Sequence, residues 1–284
     1  MTLTVIDRAD AFHKALEAER QAGRSVGLVP TMGYLHAGHT SLMRRAAAEC
    51  DVGAATSFVN PLQFAPTEDL AAYPRDPEGD RAKAAAAGVD IFFAPPIDEM
   101  FPEPPRTAVT VAGLSEILEG KSRPSHFAGV ATVVTKLFAL AGPCRAYFGE
   151  KDYQQLAVIR RLVQDLSLPV EVVGCPTVRD TDGLALSSRN AYLTAAERAV
   201  APALYRALSA GRRLIEEDHE TDPAAVRAAM HTMITAEPLM TLDYTEVVNA
   251  ADLAPLSTIS GEVRLLVAVR LGRARLIDNM GAAT

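Results

Sequence analysis

The chain has 284 residues, which fits one large domain or two domains of the usual size, roughly 100–200 residues each. Hydrophobic residues make up 49% of it and charged residues 22%, an ordinary globular composition with enough apolar side chains for a buried core. The formal net charge of −7 and the lack of a domain-sized basic patch exclude a surface for nucleic acid.

Cysteine usage and the N-terminal segment predict a soluble cytoplasmic protein. Cys50, Cys144 and Cys175 show no Cys-x-x-Cys spacing and are odd in number, so we expect small buried residues in a reducing compartment rather than disulfides. The first residues lack the basic segment and apolar run of a secretory signal. No stretch reaches the roughly 18 apolar residues of a membrane span, and no membrane partner is expected.

The first part of the chain alternates between short apolar runs and helix-compatible segments. This alternation predicts an α/β fold with a Rossmann-like, doubly wound parallel sheet, covered on both faces and binding ligands at the carboxyl ends of its strands. The predicted strands are 26–29, 52–59, 90–94, 145–149 and 170–174. The predicted helices are 8–22, 38–49, 78–87, 126–141 and 152–166.

The pattern changes after about Thr177. The predicted elements there are two helices, 194–217 and 222–236, and three β-type runs, 241–249, 263–271 and 275–277. Thr194 and Glu197 have the spacing of a capping box at the start of the first of these helices. We therefore expect two domains: residues 1–177, which bind nucleotide and substrate, and residues 178–284, a smaller α+β lid domain.

Residues 30–39, Pro-Thr-Met-Gly-Tyr-Leu-His-Ala-Gly-His, follow the first predicted strand and precede a helix. His36 and His39 therefore fall at a helix N-terminus, where backbone N–H groups and the helix dipole favour an anion. Two imidazoles three residues apart share one face of the first turn and can reach the same phosphate. A metal site or a packed pair in the core is the alternative, but the adjacent glycine and the preceding strand favour phosphate.

This segment resembles the His-x-Gly-His signature of class I aminoacyl-tRNA synthetases and nucleotidylyltransferases. The longer sequence of residues 30–39 resembles the pantothenate synthetase (pantoate–β-alanine ligase) family in particular. Three further blocks are similar to that family's blocks, in the same order: 58–64 (Phe-Val-Asn-Pro-Leu-Gln-Phe), 148–156 (Phe-Gly-Glu-Lys-Asp-Tyr-Gln-Gln-Leu) and 186–190 (Leu-Ser-Ser-Arg-Asn). Residues 123–126 resemble another family block, and a more diffuse similarity runs to Asp278-Asn279.

The resemblance implies a ligase of pantothenate biosynthesis that condenses (R)-pantoate with β-alanine. The pantoate carboxylate would attack the α-phosphate of ATP to give a pantoyl adenylate and pyrophosphate, and the amine would then displace AMP. A homodimer is implied as well, with Mg²⁺ entering on ATP and held largely by phosphate oxygens and water. We expect no resident metal, because His36 and His39 lack a third ligand at zinc-like spacing. Asp76 and Asp80 are candidate outer contacts for the magnesium ion.

Four side chains are assigned to the chemistry at phosphorus. The resemblance makes His39 the usual proton donor, and we expect His36 and His39 together to stabilise the transition state by hydrogen bonding. Lys151 supplies a point charge for phosphate oxygens, and Arg189 supplies a guanidinium for the triphosphate. A solvated Glu-Lys-Asp turn and a plain polar turn are the respective alternatives. By resemblance, the ATP-binding set is Met32, Gly33, Tyr34, Leu35, His36, Ala37, Gly38, His39, Gly149, Glu150, Lys151, Asp152, Val178, Leu186, Ser187, Ser188 and Arg189.

Gln63 and Gln155 are the candidates for binding pantoate, because a neutral amide both donates to and accepts from hydroxyl and carboxylate groups. An ordinary loop position for Gln63 and an exposed helix position for Gln155 are the alternatives. The apolar contacts to pantoate are assigned to Pro30, Met32, Val133 and Val134. Arg123 is a candidate for supporting the phosphates and Asn60 for fixing the loop geometry, and His126 is the one remaining histidine not assigned to a structural or surface role.

Two other functions fit part of this pattern. A nucleotidylyltransferase would stop at nucleotide transfer, but the two glutamines and the lack of an obvious second nucleotide pocket argue against it. A catalytically silent nucleotide-binding module would not need His36, His39, Lys151 and Arg189 together. Release of AMP that depends on both pantoate and β-alanine distinguishes the ligase from either alternative.

Overall fold

The computed structural model describes residues 3–65 and 70–284. The chain divides into two compact units, one formed by Met1–Glu150 with Gln154–Pro176 and the other by Lys151–Tyr153 with Thr177–Thr284. Residues 1–2 and 66–69 of the predicted domain 1–177 lie outside the described residues. The second unit also takes in Lys151–Tyr153, which the sequence pattern places with the first.

The first unit contains a six-stranded sheet in the order β1-β4-β3-β2-β5-β6, and every neighbouring pair in it is parallel. The strands are β1 (Thr4–Ile6), β2 (Val26–Thr31), β3 (Val52–Ser57), β4 (Ile91–Phe93), β5 (Cys144–Gly149) and β6 (Val170–Cys175). The central strands are apolar runs rather than alternating patterns, because parallel sheets are buried on both faces. The predicted Rossmann-like α/β fold is confirmed.

Two hydrophobic clusters account for this burial, one on each face of the sheet. The helices of this unit are α1 (Ala9–Gln21), α2 (Ala37–Glu49), α3 (Pro77–Ala86), α4 (Ile97–Met100), α5 (Glu119–Ser122), α6 (His126–Ala141) and α7 (Tyr153–Asp165). Tyr153 itself belongs to the second unit. The first cluster packs Phe12 and Leu16 of α1 with helices α6 and α7, and the second is built around Met43 of α2 and Ala84 of α3.

The switch point of the sheet lies between β2 and β5. These strands pair only at Gly27–Arg145 and Leu28–Ala146, whereas β2 pairs with β3 along its full length. Pro30 can therefore stand in a central strand, because the ladder towards β5 ends before it and no N–H is needed on that side. Ligands of open α/β sheets bind outside the carboxyl ends of the strands at such a point, where residues 32–39 follow β2 and Gly149 ends β5.

The second unit is an antiparallel sheet with helices packed on it. Its elements are α8 (Ala195–Val200), α9 (Ala203–Glu216), α10 (Pro223–Thr235), β7 (Met240–Asn249), β8 (Glu262–Leu271) and β9 (Ala274–Ala283), and the strand order is β7-β8-β9. One hydrophobic cluster joins α9 and α10 to the sheet, with Leu208, Met230 and Val267 fully buried. The smaller α+β unit is thereby confirmed, while its role as a lid stays a prediction.

Several elements differ from the prediction for physical reasons. The single helix predicted over 194–217 is two helices, because Pro202 lacks an N–H and its ring clashes with the preceding turn; the capping box at Thr194 and Glu197 is confirmed. The last strand extends to Ala283, because ten consecutive pairs with β8 outweigh the low strand propensity of its Asp, Asn and Gly. The sequence does not predict β1, α4 or α5, since elements of three or four residues carry almost no pattern.

Among the helices of the described ranges, none combines the length and the apolarity needed to cross a bilayer.

Candidate active site

The loop after β2 reverses direction through two residues in the left-handed region. Gly33 has φ +80° and Tyr34 has φ +50°, a conformation that glycine adopts freely and tyrosine only at a cost. A Cβ at Gly33 would lie 2.6 Å from Ser57 Oγ and 2.8 Å from Asp80 Oδ2. Glycine is therefore required at position 33 both by its backbone angle and by the space around it.

Asp80 of α3 holds this loop in place. Its Oδ2 accepts from the Tyr34 N–H at 2.8 Å and its Oδ1 from the Leu35 N–H at 2.6 Å. The residue is only 2% exposed, so both backbone groups would lose their hydrogen bonds without it. These two bonds offset the strain at Tyr34 and present the residues before α2 in one arrangement.

Replacing Asp80 by alanine should lower the free energy of unfolding by about 1–3 kcal/mol for each buried N–H left without an acceptor. Asp222→Ala is the matched control. Asp222 caps α10 by accepting from the Ala224 N–H at 2.8 Å, and loss of such an exposed cap costs about 1 kcal/mol. Urea unfolding measures both variants, and equal destabilisation would contradict the role given to Asp80.

His36 and His39 cap the N-terminus of α2 reciprocally. His36 is the N-cap residue and its Nδ1 accepts from the Gly38 N–H at 3.1 Å, while His39 Nδ1 accepts from the His36 N–H at 3.3 Å. The two rings lie with their centroids 4.0 Å apart. The pair is therefore adjacent at a helix N-terminus, as its spacing predicts.

This arrangement assigns the protons of both rings. A ring nitrogen that accepts from a backbone N–H carries no proton, so in the neutral imidazole the proton is on the other nitrogen, Nε2. Each ring thus has an Nε2–H donor on the side away from its capping bond. The helix cap fixes the orientation and the tautomer of two hydrogen-bond donors at a site that favours anions.

Gln63 lies in a short 3₁₀ turn, Pro61–Gln63, and is held by several neighbours. Asn60 Nδ2 donates to Gln63 Oε1 at 3.2 Å and to the Gly129 carbonyl at 3.1 Å. Arg123 Nη2 donates to the Gln63 carbonyl at 3.3 Å, and His126 Nδ1 lies 3.1 Å from the same oxygen. Asn60, Arg123 and His126 therefore all contact this one residue.

The apolar candidates for pantoate fall into two groups. Pro30 and Met32 are half-buried at the end of β2 and just after it, and Met32 Sδ lies 2.9 Å from Gln63 Nε2. Val133 and Val134 on α6 belong to the larger hydrophobic cluster of the first unit. The structure thus brings Met32 and Gln63 into contact, and it places the two valines in the core.

The two adjacent glutamines of α7 have different environments. Gln154 is buried, accepts from the Glu119 N–H at 3.0 Å, and donates to the Leu114 and Ile117 carbonyls, each at 2.8 Å. Gln155 is half-buried, and within the described residues its side-chain amide makes no hydrogen bond to the protein. Gln154 is therefore occupied in fixing residues 114–119, which leaves Gln155 as the glutamine able to bind a ligand.

The residues after β5 belong partly to each unit. Gly149 and Glu150 stay with the first unit, and apart from the two neighbours of Gly149 in the chain, none of the described residues comes within 4 Å of where a Cβ would stand at this position. Lys151 and Asp152 belong to the second unit, and Lys151 Nζ contacts Asp152 Oδ1 at 3.0 Å.

The remaining candidates lie around a short hairpin in the second unit. The Leu186 N–H donates to the Val178 carbonyl at 3.0 Å, so both ends of the hairpin meet. Ser187 follows and caps a 3₁₀ turn, Ser188–Tyr192, by accepting from the Arg189 N–H at 3.3 Å. Ser187, Ser188 and Arg189 therefore follow one another on one short segment directly after the hairpin.

Two functional contributions could not be read from the sequence. The sequence offers Asp80 only as an outer magnesium contact, whereas its hydrogen bonds reach residues 45 and 46 positions away. The sequence assigns no role to Gln154, whose buried side chain fixes residues 114–119 through the Glu119 N–H and the Leu114 and Ile117 carbonyls. These partners belong to a loop distant in sequence.

Comparison with known proteins points to one family. A family model described as "Pantoate-beta-alanine ligase" matches residues 4–281. A pantothenate synthetase of Moorella thermoacetica is 54% identical over 270 residues, covering 95% of each chain, and one of Geobacillus kaustophilus is 50% identical, covering 98% of this chain and 92% of that protein. These relatives are similar to this chain over almost all of its length.

Solved structures agree with these relatives. A pantothenate synthetase from Thermus thermophilus superposes with a TM-score of 0.94 at 49% identity, covering 99% of this chain and 100% of that one. A pantoate–β-alanine ligase from Francisella tularensis, solved in complex with beta-gamma ATP and beta-alanine, gives a TM-score of 0.79 at 33% identity, covering 98% of this chain and 97% of that one.

Proposed function

Because this chain belongs to the pantoate–β-alanine ligase family, it joins pantoate to β-alanine at the expense of ATP, and we propose that the residues described above divide the reaction as follows. A pantoate carboxylate oxygen attacks the α-phosphorus of ATP, and the bond to pyrophosphate breaks. The amine of β-alanine then attacks the carbonyl carbon of the adenylate and loses a proton. The bond to AMP breaks, and pantothenate is formed.

The reciprocal cap of His36 and His39 is the observation that supports this assignment best. Its two Nε2–H donors suit the negative charge that develops on phosphate oxygens in the first step. Because the cap holds the rings before the reaction starts, no reorganisation is needed at the transition state. We propose that both histidines act as hydrogen-bond donors to the α-phosphate and the departing pyrophosphate.

Lys151 and Arg189 are proposed to stabilise the triphosphate and then the departing pyrophosphate. An ammonium acts as a compact point charge, and a guanidinium can bind two phosphate oxygens at once. Asp152 is proposed to accept from the ribose hydroxyls. The loop residues 32–39, Gly149 and Glu150 of the first unit, and Val178, Leu186, Ser187 and Ser188 of the second are proposed to complete nucleotide binding.

Pantoate is proposed to bind against Gln63 and Gln155. Both amides can donate to and accept from its hydroxyl and carboxylate groups. Contacts from Asn60, Arg123 and His126 fix Gln63, and Met32 beside it offers apolar surface. The further apolar contacts that we propose are Pro30, Val133 and Val134.

Gln155→Ala should weaken pantoate binding by roughly 5- to 150-fold, because a polar group of the substrate then loses a partner worth about 1–3 kcal/mol. Its effect on ATP affinity and on stability should be small. Gln154→Ala is the matched control, since it releases the Glu119 N–H and two carbonyls and should chiefly lower stability. Isothermal titration with pantoate measures the affinity of both variants. A larger loss of pantoate affinity in Gln154→Ala than in Gln155→Ala would contradict the assignment of Gln155 to the pantoate site.

Magnesium is proposed to arrive on ATP, as part of the substrate. Asp80 uses both carboxylate oxygens on backbone N–H groups, and Asp76 caps α3 and lies 3.6 Å from Lys83. Within residues 3–65 and 70–284, no three His, Cys, Asp or Glu side chains come together as a ligand set. The phosphate oxygens and water would then hold most of the ion.

Product analysis tests the proposed function. The purified chain should release AMP and pyrophosphate only when ATP, pantoate and β-alanine are all present, and in equal amounts with pantothenate. Transfer of the nucleotide to a second acceptor without β-alanine would favour the nucleotidylyltransferase alternative. Binding of ATP without any turnover would favour the silent module.

We further propose a cytoplasmic homodimer. The three cysteines are free thiols, which suits a reducing compartment. The dimer rests on family membership alone. Light scattering coupled to size exclusion measures it, and a monomeric mass at micromolar concentration would contradict it.

A further inference from the structure

Two consecutive buried residues of β9, Asp278 and Asn279, stand out because the proposed chemistry does not use them. Each is 3% exposed, and polar residues are buried only when their hydrogen-bonding groups are satisfied. Some of their hydrogen-bond partners are strand residues. The others lie in two segments of the second unit, the one that contains Lys151 and the hairpin that leads to Arg189.

Asn279 contacts the segment that contains Lys151. Its Nδ2 donates to the Lys151 carbonyl at 2.8 Å, and its Oδ1 accepts from Arg264 Nε at 2.7 Å. The Arg264 guanidinium in turn lies 3.9 Å from the centre of the Tyr153 ring. Tyr153 adds a second connection, because its hydroxyl donates to the Ala250 carbonyl at 2.9 Å. These bonds explain why residues 151–153 group with the second unit.

Asp278 contacts the hairpin that leads to Arg189. Arg179, next to Val178, donates to both carboxylate oxygens of Asp278, at 2.6 and 2.9 Å. The same guanidinium donates to the Gly183 carbonyl at 3.0 Å and to the Asn279 carbonyl at 3.2 Å. A bidentate pair of this kind fixes orientation as well as distance, so the hairpin is held to the same point of β9.

We propose that Asp278 and Asn279 form a junction that positions Lys151 relative to the segment 187–189, with Asn279 as the positioning residue for Lys151. The inference rests on the proposed function, since it concerns the groups assigned to ATP phosphates. Both side chains are buried and bonded to protein groups, and neither is assigned a contact with substrate. Their contribution is to hold Lys151 and Arg189 in place before ATP binds. The two cations then bind the triphosphate without a further ordering cost, which is the advantage of a preorganised site.

Asn279→Asp tests the junction with the smallest structural change. The carboxylate still accepts from Arg264 but cannot donate to the Lys151 carbonyl. We expect the KM for ATP in pantoate-dependent pyrophosphate exchange to rise about tenfold, since displacement of a positioned group costs up to ~10²-fold. Amine attack on preformed pantoyl adenylate should change less than about twofold, because no triphosphate is present at that stage.

Asn249→Asp is the matched control in the same unit. The Asn249 side chain accepts from the Ala251 and Asp252 N–H groups through its oxygen, which aspartate retains, so exchange should be unchanged. Tyr153→Phe is a second, milder variant that loses only the hydroxyl bond to Ala250, and we expect a rise of about threefold in the same KM, within the range for a slightly displaced group. If Asn279→Asp does not fold, Tyr153→Phe alone provides the test.

A double-mutant cycle separates positioning from a general structural effect. If Asn279 acts through Lys151, Asn279→Asp should have little further effect in a Lys151→Ala background. Fully multiplicative effects, or equal loss in both half-reactions, would overturn the proposal. Two measurements distinguish failure of this proposal from failure of the proposed function. Unchanged affinity for Mg-ATP in Asn279→Asp and Tyr153→Phe, measured by titration without pantoate, would overturn the junction. Absence of pyrophosphate exchange in the unaltered chain would overturn the proposed function.

Discussion

His39→Ala and His36→Ala should each slow the formation of pantoyl adenylate by about 10²–10³-fold, equivalent to about 3–4 kcal/mol, the usual cost of removing one preorganised donor to a developing oxyanion. The reciprocal cap directs one Nε2–H from each ring away from the helix backbone. Rapid-quench measurement of a single turnover with ATP and pantoate reports this step. The slower rate should appear without a comparable loss in the rate of amine attack on preformed adenylate.

His36 requires a variant that separates capping from catalysis, because alanine also removes the N-cap of α2, at a cost of about 1 kcal/mol of stability. His36→Asn does so, since asparagine is a favourable N-cap residue but offers no donor at the Nε2 position. It should fold with near-normal stability and still lose the first step. His231→Ala, on the exposed surface of α10, should leave the rate unchanged. Near-normal adenylate formation by His36→Asn would show that His36 serves only as a cap.

Lys151→Ala and Arg189→Ala should depress the pantoate-dependent exchange of labelled pyrophosphate into ATP, each by about 10²-fold or more. The exchange reports the first half-reaction alone, because formation of the adenylate is reversible while it stays bound. Both charges are proposed to stabilise the departing pyrophosphate. Neither has a phosphate chain to bind when β-alanine attacks, so the second half-reaction should be affected much less.

The same measurement tests the order of the chemistry. With β-alanine omitted, the unaltered chain should exchange pyrophosphate as long as pantoate is present. A concerted reaction of all three substrates would show exchange only after β-alanine was added. Exchange without pantoate would mean that the carboxylate is not the nucleophile. Arg270→Ala, on an exposed position of β8, is the control for removal of a positive charge from the same unit.

Much of the fold could be predicted because its signals are local. The apolar runs that become β2, β3, β5 and β6 are bounded by turn residues, and α6 begins and ends where its pattern predicts, at His126 and Ala141. His36 and His39 are three residues apart, so helix geometry alone makes them neighbours. In each case the interacting groups lie within about one turn or one strand of each other, where periodicity applies.

Other features were decided only by the tertiary structure. The sequence pattern places Lys151 with the first domain, but a hydrogen bond to Asn279, 128 positions away, ties its segment to the second unit. β9 is ten residues long because β8 lies beside it, although its own composition disfavours a strand. Neither fact has a local pattern, because each depends on a partner that becomes adjacent only when the chain has folded.

The same distinction separates the predictable from the unpredictable parts of the candidate site. The sequence by itself determined which residue types suited to phosphate the chain carries: two histidines after β2, a lysine after β5 and an arginine after Ser187-Ser188. Only the folded chain decided how the candidate site is supported. The buried Asp80 holds the left-handed turn after β2, and carbonyl groups occupy the side chain of Gln154 but not that of Gln155. Chemistry belongs to a residue's own side chain, whereas its orientation is set by hydrogen bonds and burial from residues distant in sequence.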